Sequence, residues 1–401
     1  MGYMNTKPTI LVIYDGYLPK AFSDGIAKSI NGMIHNLCPD FDFCVIAVDR
    51  SLDDVHRPSD VQVGRWQPMQ NGQVFYLPRL SLRSLFQLPT FLQAFNYDLV
   101  TLNCYFGSTT VMYLLLRRLG WLVKKPLIIA PHGEFGDGAL ALKSVKKRMY
   151  MWLANRLGLY NSVIWRASTE YEMQQIRRLY PLAKIHIAPN MSCPIENHAE
   201  TLPPTKPTKI VGQLRIVYLS RIHPIKNLNR ALLMLTNVTG KVEFSIYGPV
   251  SDKEFWEECK VLIAQLPPNS NATYYGEVTP ENVLTTLKDH HMFFLPTSTE
   301  NYGHAIVEAL LAGCPVIISD RTPWRGLTTR QVGWDLPLED ENAFIEVLNT
   351  AVMMDDHTFQ VWSKSAHDYG LSIVNDEAVV NANRLLFQQA LSLHTHAMSK
   401  H

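Results

Sequence analysis

Short apolar runs recur along the chain at Ile10–Tyr14, Phe43–Val48, Leu99–Leu102, Leu127–Ala130, Val163–Arg166 and Lys184–Ile187, several of them separated by amphipathic stretches. This alternation predicts a parallel sheet with helices on both faces. It breaks over residues 190–210, where proline and polar residues gather and no helical apolar face is present, as expected of a linker. The alternation then restarts with Leu214–Leu219, Val242–Tyr247, Ala272–Tyr275, Met292–Leu295 and Val316–Ser319, which predicts a second α/β domain. Residues 377–395 carry a helical apolar stripe able to pack on either domain. The predicted division is a first domain over 1–195, a linker over 196–210, and a second domain over 211–376, with the segment 377–401 packing back on the first.

The densest chemistry follows the predicted strand Met292–Leu295. The loop Thr297–Gly303 leads into a short helix over 304–312, stopped by Gly313 and Pro315, and a further strand follows at Val316–Ser319. Two strands joined through a helix make a parallel crossover, so this loop falls at the carboxyl end of its strand, where open α/β sheets bind ligands. Glu300 lies in the loop and Glu308 about one turn into the helix, while the amides around Gly303–Ile306 offer positive potential to an anion. Taken singly, Glu308 also reads as an acid favoured near a helix start and Glu300 as a solvated loop residue.

A second concentration follows the strand ending at Leu219: Ser220-Arg221-Ile222-His223-Pro224-Ile225-Lys226-Asn227, with Asn227 expected to cap the next helix. Arginine forks onto two phosphate oxygens and lysine supplies a mobile point charge, a combination suited to a diphosphate without a metal; a solvated basic loop is the plainer alternative. Gly248-Pro249 ends another strand, either as a close approach to a ligand or as an ordinary turn.

The frame Pro296-x-x-x-Glu300-x-x-Gly303-x-x-x-x-Glu308-Ala309, closed by Gly313-x-Pro315-Val316-Ile317, resembles the donor-sugar motif of the family-4 retaining glycosyltransferases. The resemblance implies the GT-B fold, in which two Rossmann-like, doubly wound domains face each other across a cleft. It implies that Glu300 holds hydroxyls of the transferred sugar and that Glu308 holds the ribose of its nucleotide carrier. Arg221 and Lys226 would meet the diphosphate. Gly248, the backbone around Val278, and Asn301, Tyr302, Gly303, His304 and Ala305 would complete the donor site. In the first domain, Gly25 stands where the family usually has a glycine pair near the phosphates, here preceded by Asp24. His132, after the Leu127–Ala130 strand, matches a histidine near the reacting bond.

Composition narrows the classes. A chain of 401 residues with 47% hydrophobic and 18% charged residues supplies two sizeable cores, and a net charge of +1 gives no global attraction to nucleic acid. The six cysteines lack paired or zinc-like spacing and are expected to be reduced, as in a cytoplasmic protein. The amino-terminal segment is too polar for a secretory signal, and no run reaches the length of a membrane span. Asp40-Phe-Asp42 precedes its strand, on the wrong edge for the cleft, and no metal or other cofactor is expected. The run Lys143–Arg156 is basic and aromatic on a predicted helix, suited to anionic lipid headgroups or an anionic acceptor, or to a solvated face over an apolar back.

The expected activity is transfer of a hexose from a nucleotide diphosphate sugar to a hydroxyl acceptor, with retention, in polysaccharide or glycolipid synthesis. The acceptor would be saccharide or lipid-linked, and the protein cytoplasmic with a peripheral membrane contact. A nucleotide-sugar epimerase of the same architecture and a degenerate nucleotide-sugar-binding protein are the alternatives.

Overall fold

The computed structural model describes residues 7–17, 24–50, 60–78, 88–93, 95–136, 140, 144–193 and 204–398. The chain forms two compact units, one of residues 1–194 with 376–401 and the other of residues 195–375.

The first unit is built on β1 (Thr9–Ile13), α1 (Gly25–Leu37), β2 (Asp42–Val48), β3 (Trp66–Met69), β4 (Gly72–Leu77), β5 (Leu99–Asn103), α2 (Ser108–Arg118), β6 (Leu127–Ala130), α3 (Ser144–Leu157), β7 (Ile164–Ala167), α4 (Glu170–Leu179) and β8 (Lys184–Ile187). Its strand order is β3-β4-β2-β1-β5-β6-β7-β8, parallel except for the β3–β4 hairpin at one edge. Strands β1, β2, β5 and β6 are apolar almost throughout because both sheet faces are covered, and two separate clusters of buried side chains lie on the two faces. The chain order reverses between β1 and β5, so the loops after these two strands meet.

The second unit comprises β9 (Gln213–Leu219), α5 (Leu228–Leu235), β10 (Lys241–Tyr247), α6 (Lys253–Ala264), β11 (Ser270–Gly276), α7 (Val283–Lys288), β12 (Met292–Leu295), α8 (His304–Leu311), β13 (Val316–Ser319), β14 (Gly333–Leu336), α9 (Glu341–Met353) and α10 (Asp356–Val374). Its six strands run β11-β10-β9-β12-β13-β14, all parallel, which is the dinucleotide-fold order with its reversal between β9 and β12. The fully buried Phe244, Phe293, Phe294 and Phe344 anchor this core.

Helix α11 (Glu377–Met398) packs on α1 of the first unit. Phe387 is fully buried against Phe41 and Phe43, Arg384 Nε donates to Asp40 Oδ2 at 2.7 Å, and Asn383 Nδ2 donates to the Pro189 carbonyl at 2.9 Å. Asp40 is thereby committed to an ion pair with this helix.

Residues 196–203 of the expected linker lie outside the described residues. Residues 204–210 behave as part of the second unit. The Lys206 and Lys209 side chains are buried, and their ammonium groups donate to main-chain carbonyls of Leu287 and Ala312, and of Ile210, Val352 and Met354, respectively. Apart from Ile210, which precedes β9, those carbonyls lie at or just beyond the ends of α7, α8 and α9, where few partners remain within the helix.

Candidate functional site

The reversal between β9 and β12 brings together the two motifs of the second unit. After β9 the chain makes a single tight helical turn over Pro224–Lys226, capped by His223, whose Nδ1 accepts from the Ile225 amide at 3.3 Å. Burial, then the charges of Arg221 and Lys226, lower the His223 pKa. Asn227 follows at φ 53°, in the left-handed region that asparagine tolerates better than most residues. Its side chain does not cap α5, contrary to the sequence expectation. It reaches across the reversal instead, Nδ2 donating to the Pro296 carbonyl at 2.7 Å and to Ser298 Oγ at 2.9 Å. The Ser298 amide returns a bond to the Ile225 carbonyl at 2.8 Å, and Thr297 Oγ1 donates to that same carbonyl at 3.2 Å.

These ties fix Lys226 beside Glu300. The Lys226 ammonium is ion-paired with Glu300 Oε1, and the two side chains are only 12% and 15% exposed. The Glu300 backbone is held by its own amide, which donates to the Arg321 carbonyl at 2.9 Å. Arg221 is exposed, and among the described residues its guanidinium makes no ion pair. Gly248 explains how the loop after β9 is seated. At its φ of 132° a Cβ would stand 2.0 Å from the Ser220 carbonyl oxygen, so the position admits only glycine. Val278 lies half-buried beyond β11, against the same core.

Gly303, at φ 82°, enters α8, and a Cβ there would meet Ile306 Cδ1 at 2.8 Å. The first-turn amides of α8 fall outside its own ladder and carry the positive end of the helix dipole. His304 is buried with its ring 4.7 Å from that of Tyr302, and the Tyr302 carbonyl accepts from Trp324 Nε1 at 2.6 Å. Asn301 and Ala305 are half-buried in the same turn, as is Glu308 one turn further along.

The first unit carries a separate constellation at the carboxyl edge of its sheet. His132 adopts φ 53°, and its Nε2 lies 2.9 Å from Asn103 Oδ1, at the end of β5. Carboxylates, buried at Glu172 and half-buried at Asp15 and Glu134, tie each loop to the next. Asp15 accepts from the amides of Ser108 and Thr109 at 2.7 and 2.9 Å, Glu134 from the amides of Tyr105 and Phe106, and Glu172 from the Gly133 amide at 2.6 Å. Burial pushes the Glu134 carboxyl up to about 7, opposed by those two amides and by the charge of Lys147. Gly25 opens α1, but Asp24 caps that helix, accepting from the Ile26 amide at 3.0 Å and from the Tyr14 hydroxyl. A carboxylate therefore stands at the helix start where the resemblance placed a phosphate contact, and the preceding residues 18–23 lie outside the described ones.

Asn103, Glu134, Glu172 and the cross-tie from Asn227 were not anticipated from the sequence. The ties named span 28 or more residues, which no local spacing records. Among the described residues no group of three metal-ligating side chains gathers. A cavity of about 170 Å³ lined by Thr208, Arg215, Lys241 and His291 opens at the opposite, amino edge of the second sheet.

Two family descriptions cover most of the chain, "Glycosyl transferases group 1" over residues 204–360 and "Glycosyl transferase 4-like domain" over residues 24–191. The chain belongs to the group 1 glycosyltransferases. Among solved structures, this glycosyltransferase is similar to the sucrose-phosphate synthase of Thermosynechococcus elongatus, with a TM-score of 0.69 and 15% identity over 96% of this chain and 100% of that one. Anabaena HepE in complex with UDP-glucose matches with a TM-score of 0.67 and 15% identity, over 96% of this chain and 99% of that one. At such identity these likenesses establish the fold, which is GT-B. A curated relative, the 2-deoxystreptamine N-acetyl-D-glucosaminyltransferase of Niallia circulans, is 23% identical over 184 residues, which are 45% of this chain and 43% of that protein. The match thus spans less than half the length of that relative.

Proposed function

We propose that this glycosyltransferase moves a hexose-type sugar from a nucleotide diphosphate to a hydroxyl acceptor with retention and without a metal. The observation that carries the reading is the pairing of Lys226 with Glu300 at the β9–β12 reversal, just before α8 and in the same loop after β9 that carries Arg221. Arg221 and Lys226 neutralise charge as the sugar–phosphate bond breaks, which is electrostatic stabilisation of a leaving anion. Glu300 orients the sugar, Glu308 holds the ribose, and the Gly303–Ala305 amides supplement the anion site. Gly248, Val278, Asn301, Tyr302 and His304 line the donor. In the first unit, His132, with its ring tethered to Asn103, is the candidate for the reacting sugar. Attack comes from the face the phosphate leaves, with a phosphate oxygen taking the acceptor proton.

A lipid-linked acceptor is supported by α3. Val145, Met149 and Trp152 form an outward stripe, 70%, 66% and 66% exposed, flanked by Lys146 and Arg148 and free of acidic residues. Apolar side chains bordered by cations suit the interface of an anionic membrane. Lys147, expected among the lipid-facing cations, turns inward, its ammonium 5.0 Å from the Phe106 ring centroid.

The test is a panel of nucleotide sugars scored by thermal shift, then by transfer to hydroxyl acceptors with and without EDTA. Ligand at 100 times its Kd should add about 2.7 kcal/mol of stability. Lys226→Ala should lower kcat by roughly 10²–10³, the scale for one lost oxyanion-type donor. Glu308→Gln should act mainly on KM, the signature of uniform binding. Wild-type turnover by a folded Lys226→Ala protein, or loss of activity on chelation, overturns the assignment.

A further inference from the structure

The two cations of the donor site are in different states. Arg221 is exposed with no ion pair among the described residues, whereas the Lys226 ammonium is held by Glu300. A charge pair can be opened by moving its loops apart or by offering one partner a better ligand. Here the first route is closed. The segments 223–227 and 296–300 are laced by Asn227 Nδ2 to Pro296 and Ser298, by Ser298 to Ile225 and by Thr297 to Ile225, and Glu300 is anchored to Arg321 besides. Glu300 therefore neutralises Lys226 for as long as the pair holds, and the ammonium offers a phosphate its full charge only by giving Glu300 up.

That exchange leaves a mostly buried carboxylate without its cation, a costly state unless new donors replace the lost one. A bare nucleoside diphosphate brings phosphate oxygens to Lys226 but no donor to Glu300. A nucleotide sugar brings hydroxyls, which donate to a carboxylate and satisfy it. We infer that Glu300 is a selectivity element that masks Lys226 against bare nucleoside diphosphate and releases it to a donor whose sugar hydroxyls take over the carboxylate. The inference rests on the donor-site reading above and adds to it a discrimination between substrate and spent product.

Calorimetric titration of UDP, GDP and ADP, each beside its glucose conjugate, into wild type and Glu300→Gln tests it. The uncharged amide should release Lys226, so Glu300→Gln should bind the bare diphosphate about tenfold more tightly while its affinity for the sugar conjugate stays level or falls. In a Lys226→Met background the gain should vanish, which separates unmasking from the mere loss of a negative charge. A bare-diphosphate affinity unchanged by Glu300→Gln, or a gain that survives without Lys226, overturns the inference and leaves the donor site standing. Failure of all three nucleotides and their conjugates to bind wild type overturns both.

Discussion

Glu134 shows how one side chain serves the first unit. Its carboxylate accepts from two successive amides after β5, and burial still raises its pKa to about 7 from an ordinary 4.5. A folded-state pKa above the unfolded one means that the folded protein holds this proton more tightly. The associated stability is complete below about pH 4.5 and declines as pH rises through about 7. Glu134→Gln keeps an oxygen for the amides and never ionises. Its melting temperature relative to wild type should therefore climb between pH 5 and 8, by the equivalent of up to about 3 kcal/mol. A difference independent of pH would show that Glu134 does not titrate in this window. Such a residue gives little sign of itself in the sequence, where it stands beside His132-Gly133 as one more loop acid. Lys226 and Glu300 were easier to pick out, because each sits in a compact local frame. Their pairing depends on Asn227 turning away from the helix it precedes, and helix-start statistics point the other way.

At the scale of elements, most strands were legible because burial on both faces makes them uniformly apolar. The hairpin of β3 and β4 was missed although Asn71-Gly72 marks its turn into β4, since β3 carries Pro68 and only half-buried or exposed side chains at the sheet edge. The edge strand β14, Gly333-Trp-Asp-Leu336, carries a glycine and an aspartate and is half-buried at its end, so it leaves no apolar run to read. The segment 204–210 misled for a different reason. Its prolines and lysines have the composition of a solvated linker, yet Lys206 and Lys209 bury their stems and deliver their ammonium groups to carbonyls at helix ends. The feature is a cap whose partners lie 81 or more residues away for Lys206. Lys206→Met preserves the stem and strands the Ala312 carbonyl, while Leu287 keeps the His290 amide, so denaturant titration should give a loss of about 1–3 kcal/mol, the cost of one buried group left unsatisfied. A loss below about 0.5 kcal/mol would mean that water replaces the ammonium.

For the whole molecule, the exposed stripe of α3 predicts attachment to surfaces. Co-sedimentation with anionic vesicles should weaken with salt, and the Lys146→Glu/Arg148→Glu double variant should lose about 1 kcal/mol for each cation removed. Trp152→Ala should weaken binding at every salt concentration, because its contribution is apolar area. Equal recovery of all three proteins at low salt would remove the membrane from the account. None of the described helices is long and apolar enough to cross a bilayer.

The return of α11 to the first unit has a consequence for the order in which the protein can be made. The surface of α1, with Phe41 and Phe43, waits for Leu386, Phe387 and Ala390, which leave the ribosome only after all of residues 195–375. At cellular elongation rates that interval is on the order of ten seconds or more. The unit synthesised second is the one able to finish first, while its predecessor stays open with apolar surface uncovered, a target for chaperones. Phe387→Ala should therefore wound the distant beginning of the chain: hydrogen exchange should quicken through α1 and β2, with a cost of about 3–5 kcal/mol, and leave β9–β14 at wild-type protection.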